Sequence, residues 1–342
     1  MKLFRKYKAI AYLPTPYTLL QYYLLEPYRI EDTLFLFHGG FPLSVVHCVP
    51  GAKILEDKGR RKCYGSLLLV YWYALRNCNI PVYLGGWPPF SNLFLRLFKH
   101  IFYLEDGAAS YEAVLRPDFQ SFEREKVLRR RWVWGNRYPR FGLADNVKCI
   151  YLTGILPIPE IILKKVKLID LHALWQQKNP DQKKEIVNVF LPQGIDLKLF
   201  DSCDTLLLTQ PFSEYSVNNF SESDKIEVYR RLLAGYDESR VLIKVHPVEK
   251  TDYAAYFPAA KILAVPCPME LLAFLGIPLH RAITVNSTAV YSLGDQVEKI
   301  ITGYDVTPAL VEEAKQRNIY DGISNKLTTK QTYIKIEIYK RV

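Results

Sequence analysis

Val241-Leu242-Ile243-Lys244-Val245-His246-Pro247 combines the composition of a buried strand with an abrupt stop. Four of its first five residues are aliphatic, the composition of a strand buried on both faces of a parallel sheet. Pro247 cannot donate to a ladder and pushes its predecessor out of the helical region, so the strand ends there. In open α/β sheets, ligands sit just beyond the carboxyl ends of the strands. His246 is therefore aimed at a ligand, with Lys244 two residues earlier on the same face. Taken alone, a His-Pro pair is more often a satisfied histidine in an ordinary loop.

The pattern recurs on either side. Asp204–Leu208, Lys261–Ala264 and Ala282–Val285 read as further strands, with helices at Lys225–Ala234, Leu271–Leu275 and Pro308–Arg317. Upstream, Ala9–Leu13, Thr33–His38, Pro81–Leu84, Ile101–Leu104 and Lys148–Leu152 read as strands, with helices at Tyr17–Leu25 and 66–77. Residues Pro157–Leu174 mix apolar side chains with lysines, and the tail Tyr333–Lys340 alternates like an edge strand. This β/α alternation predicts parallel sheets flanked by helices. The polar run Gln176–Glu185, which contains Pro180, is the expected seam between residues 1–180 and 181–342. The expected fold class is thus α/β, two Rossmann-like parallel-sheet domains facing a central cleft.

The length of 342 residues suits two such domains, and 49% hydrophobic with 23% charged residues marks a globular chain. A net charge of +10 favours anionic partners such as phosphates, nucleotides or acidic lipid. It would also suit nucleic acid, but no nucleic-acid-binding module is recognisable, so none is expected as a partner. Cys48, Cys63, Cys78, Cys149, Cys203 and Cys267 have no metal-ligand spacing and read as reduced thiols. The apolar run after the basic start is broken by Pro14, Pro16, Glu26 and Pro27, which fits neither a signal-peptide core nor a spanning helix. The expected location is the cytoplasm.

Three further strand ends carry reactive groups. Glu105-Asp106-Gly107 follows Ile101–Leu104; paired carboxylates there suit a general base, and Gly107 allows positive φ or close approach of a substrate. Asp-Gly is also a common turn dipeptide. Asn286-Ser287-Thr288 follows Ala282–Val285, where hydroxyls either cap a helix or bind an anion. Glu270 opens the helix after Lys261–Ala264 and either favours the helix dipole or binds a ribose diol. No Walker loop, G-x-G-x-x-G, zinc-ligand pattern or G-x-S-x-G elbow occurs, and Gly39-Gly40 and Gly85-Gly86 are too short to be phosphate loops.

Together these residues resemble a known set. Bacterial sialyltransferases of the two-domain GT-B type share an acidic-acidic-glycine motif in the first domain, then His-Pro and a hydroxyl pair in the second. Glu105-Asp106-Gly107, His246-Pro247 and Ser287-Thr288 look like these, in the same order. The opening Ala11-Tyr12-Leu13-Pro14-Thr15-Pro16-Tyr17-Thr18-Leu19-Leu20 is similar to the start of glycosyltransferase family 52, as are Thr209-Gln210-Pro211 and Pro268-Met269-Glu270. The resemblance implies an acceptor-binding first domain and a CMP-sugar-binding second domain, with the last residues packing back on the first. It implies Asp106 as the base, with Glu105 its neighbour or substitute, and His246 as the group that protonates or hydrogen-bonds the departing phosphate. Ser287 and Thr288 would bind that phosphate, Lys244 the cytidine and Glu270 the ribose, with Gln210, Pro247 and Gly107 lining the donor site. CMP-sialic acid and a galactose-terminated, lipid-linked glycan are the implied partners, and no metal or other cofactor is implied. A homodimer is among the implied partners too. The alternatives are a transferase for another sugar nucleotide, a polysialyltransferase, or a non-catalytic nucleotide- or glycan-binding protein on the same scaffold. The basic aromatic stretches Phe94–Phe102 and Lys126–Arg140 are candidates for peripheral contact with the inner face of the cytoplasmic membrane, and equally for a solvated basic face or for helix packing.

Overall fold

The computed structural model describes residues 7–112, 114, 142–191 and 197–317; Lys126–Arg140 and Tyr333–Lys340 lie outside them. The chain divides into two compact units, Met1–Gln193 and Gly194–Val342. The seam therefore falls later than expected. Gln176–Glu185 belongs to two helices, Leu171–Gln177 and Pro180–Phe190. Asn179 caps the second through a reciprocal pair with Gln182, and Pro180 occupies the first turn. Residues that read as a polar linker are thus a helix start signal. Lys178 and Gln182 also bond Glu26, at 2.6 and 2.8 Å, which ties this helix to the first unit.

In the first unit the strands are β1 (Ala9–Leu13), β2 (Thr33–His38), β3 (Lys53–Leu55), β4 (Val82–Gly85), β5 (Ile101–Leu104), β6 (Val147–Leu152) and β7 (Val166–Leu168). They form one parallel sheet in the order β3-β2-β1-β4-β5-β6-β7. The order reverses between β1 and β4, the place where such sheets open a crevice at the strand carboxyl ends. β1 is buried along its whole length, as its unbroken apolar run requires. The helix expected at 66–77 is longer, running from Arg60 to Arg76.

Phe94–Phe102 is core, so of its alternative readings helix packing holds and membrane contact does not. Leu93, Phe94 and Leu95 on the helix Ser91–Leu97, and Phe98 and Ile101 after it, are buried in the first unit. Their helical spacing turns the apolar side chains to the sheet and leaves only Arg96 and Lys99 exposed.

The second unit contains β8 (Thr205–Leu208), β9 (Val241–Lys244), β10 (Lys261–Leu263), β11 (Arg281–Thr284) and β12 (Glu298–Ile301). Their order is β10-β9-β8-β11-β12, all parallel, with the reversal between β8 and β11. The helix Glu222–Leu232 starts at a Ser221–Asp224 capping box, and Thr307 caps Pro308–Gln316. Among the described residues no helix is long and apolar enough to cross a membrane, and the six cysteines are free thiols.

Candidate functional site

At the carboxyl ends of β1 and β5 the first unit gathers two carboxylates with different surroundings. Gln21, buried on the helix Pro16–Leu25, donates to the Glu105 carbonyl at 2.7 Å and accepts from its N–H at 3.1 Å. The Glu105 carboxylate is fully buried and accepts from Tyr17 Oη (2.8 Å), Tyr111 Oη (2.6 Å), and the Thr153 N–H (2.6 Å) and hydroxyl (2.8 Å). Those donors fill the lone-pair sites of a carboxylate. Glu105 is a structural acid here, with no oxygen left for a substrate.

Asp106 is only partly buried. Its N–H donates to Ser110 Oγ at 2.7 Å, and Thr15 Oγ1, the cap of the helix Pro16–Leu25, donates to Oδ1 at 3.1 Å. Thr15 is its one side-chain donor among the described residues. Burial raises the Asp106 pKa above the ordinary carboxylate value; the Thr15 hydrogen bond opposes this, and the nearby Glu105 charge adds to it. Gly107 has φ +64° and so turns the chain immediately after Asp106. Gly86, beyond β4, has φ +53°, and a Cβ there would stand 2.5 Å from Asp106 Oδ2. The dipeptide dismissed as a phosphate loop instead makes room for the carboxylate.

In the second unit His246 leaves the end of β9 with its backbone N–H shared between Thr209 Oγ1 and Glu249 Oε2, each at 3.0 Å. Nδ1 accepts from the Val248 N–H at 3.3 Å, which leaves Nε2 to carry the proton. Burial lowers the imidazole pKa; Glu249 opposes this and Lys244 reinforces it. The ring is thus a neutral Nε2–H donor at pH 7. Pro247 is exposed beside it.

Glu249 holds this turn. It also accepts from the Thr209 hydroxyl, from Tyr253 Oη at 2.6 Å, and pairs with Lys225 Nζ at 3.2 Å. Lys225 is itself fully buried and bonds Glu214 at 2.9 Å. Lys244 is buried too. Its Nζ donates to the carbonyls of Val245 (3.0 Å) and Val265 (2.9 Å), which ties the ends of β9 and β10 together and, among the described residues, leaves one donor unspent. Burial lowers its pKa to about 8, against the pull of Cys267, Glu249 and Glu270.

Gln210 and Asn286 bridge the reversal between β8 and β11. The Asn286 N–H donates to Gln210 Oε1 at 3.0 Å, and the Gln210 amide returns to Asn286 Oδ1. Ser287 precedes the short 3-10 turn Thr288–Ser292 and makes no side-chain cap, so capping does not account for its hydroxyl. Glu270 accepts from Ser292 at the end of that turn. Gln210, Lys244, His246, Glu270, Ser287 and Thr288 therefore lie at neighbouring carboxyl-terminal strand ends of one sheet.

Sequence reasoning passed over Thr15, Gln21, Gly86, Glu249 and Lys225. Gln21, a lone amide within an apolar helix, and Glu249, three residues after His246, carried a visible signal. Lys225 carried none.

The family described as Glycosyltransferase family 52 matches residues 90–310. A Haemophilus influenzae protein described as an uncharacterized protein is 36% identical over 274 residues, covering 77% of this chain and 83% of that one. An alpha/beta-galactoside alpha-2,3-sialyltransferase from the luminous marine bacterium Photobacterium phosphoreum superposes with a TM-score of 0.53 at 12% identity, covering 92% of this chain and 97% of its own. The GT-B domain of a Photobacterium damselae sialyltransferase has the same TM-score of 0.53 and identity of 12%, with coverages of 91% and 97%. At that identity the likeness is one of fold, and it agrees with the two parallel-sheet units described above.

Proposed function

The chain belongs to glycosyltransferase family 52, and from that premise we propose that it is an inverting, metal-independent sialyltransferase. It moves sialic acid from CMP-sialic acid to a terminal galactose-type hydroxyl of lipooligosaccharide or capsular polysaccharide. The observation that carries this reading is the division of labour between neighbouring carboxylates: Glu105 is saturated with donors, while Asp106 keeps an oxygen open and a raised pKa. A base needs that availability and that basicity.

Asp106 takes the proton of the acceptor hydroxyl as its oxygen attacks the anomeric carbon. The bond from that carbon to the CMP phosphate oxygen breaks, and the electron pair leaves with the phosphate. His246 Nε2–H meets the developing charge, and the hydroxyls of Ser287 and Thr288 hold the same phosphate. Lys244 directs its remaining donor to the cytidine, and Glu270 binds the ribose. Attack opposite the leaving group inverts the anomeric centre.

The test is transfer from CMP-sialic acid to a galactoside, with CMP, UMP and GDP binding measured by calorimetry. Selective CMP binding and turnover are expected. Selective CMP binding without consumption of CMP-sialic acid with any galactoside would favour a binding protein on this scaffold.

A further inference from the structure

The helix Arg60–Arg76 carries an apolar stripe on its outer side. Leu68 is 70% exposed, Leu75 85%, Tyr64 47% and Trp72 44%. Their spacing of three and four residues places them on one face, opposite Leu67, Val70 and Ala74, which are buried in the first unit's core. Exposed Arg61 and Arg76 lie along the same face, and the Arg76 guanidinium sits 4.5 Å over the Trp72 ring. No Asp or Glu occurs in the 17 residues of this helix.

We propose that this face docks on an anionic lipid surface. Leucines flanked by tyrosine, tryptophan and arginine, with no acid among them, are what a helix lying in the headgroup layer presents. The arginines can reach phosphates while their stems cover apolar surface. From Lys53 to Arg76 six bases stand against two acids, Glu56 and Asp57, both of which precede the helix. Tyr7 packs on Tyr73 of the helix at 6.1 Å. A second copy fits less well. Two-fold packing on this face would set Arg61 and Arg76 against the same bases of the partner, with no carboxylate on the helix to receive them. The contact is independent of which sugar is transferred.

The full chain should sediment with vesicles of mixed phosphatidylcholine and phosphatidylglycerol, and far less with phosphatidylcholine alone. The double variant Leu68→Ser/Leu75→Ser should weaken binding about tenfold or more, as should Arg61→Glu/Arg76→Glu, with turnover of a soluble acceptor unchanged. In the Trp72→Phe variant the blue shift of tryptophan emission on adding vesicles should disappear. Wild type that ignores anionic vesicles would overturn the proposal. So would leucine variants that bind as wild type, or that instead split a dimer in sedimentation.

Discussion

The two strand-end sites follow one plan with different chemistry. In each, a buried acid holds the backbone while a neighbour remains available: Glu105 beside Asp106, Glu249 beside His246. Among the described residues Glu105 is held by neutral donors, two tyrosine hydroxyls and the hydroxyl and N–H of Thr153. Glu249 is held by a buried ion pair, and Lys225 is shared with Glu214. The first site can therefore lose one donor and survive. The second depends on one cation that neutralises two carboxylates in a low-dielectric interior.

The largest effect tests the available member of the first pair. Asp106→Asn should lower transfer by about 10²–10⁴-fold while leaving CMP binding intact, as read by turnover and calorimetry. Lys225→Met attacks the ion pair and should destabilise the chain by about 3–5 kcal/mol in urea melts, because Glu214 and Glu249 remain buried without their cation. His246→Ala should cost about 10²–10³-fold in turnover, the usual loss for a donor to developing charge. Glu105→Gln probes the neutral site and should cost only about 1–3 kcal/mol of stability, since an amide cannot accept all four hydrogen bonds.

The smallest effect is one of pH. The folded-state pKa of Asp106 lies above its unfolded value, so its stabilising contribution is present at low pH and lost as pH rises through the folded pKa. Asp106→Asn should then melt slightly higher than wild type at pH 7, and the gap should close below about pH 4. A variant that is inactive yet more stable at neutral pH would mark Asp106 as a group kept for chemistry.

Much of this was legible in the chain. The interior strands β1 and β5 are apolar throughout, and β2, β8, β9 and β11 are apolar except at their end residues, because both their faces are covered. The edge strands β3, β7 and β12 were not, being three or four residues long and half exposed, with lysines among them. The helix Pro180–Phe190 hid behind polar capping residues that look like a linker. At Phe94 and Phe98 aromatic and basic residues in one run left surface and packing open, and the fold put the rings inside.

Sequence alone determined the α/β class, the places where strands end, and which reactive residues stand at those ends, since strand termination is a local matter of proline, glycine and apolar run length. Which of two adjacent carboxylates is left open depends on the folded arrangement. Tyr17, Gln21 and Thr153 lie far along the chain from Glu105, and the sheet order brings them to it. The same holds for Lys225 and Glu249, whose pairing depends on a helix folding back over β9. Hydrogen bonds and charges act over a few ångströms, and only the fold sets which distant residues come that close.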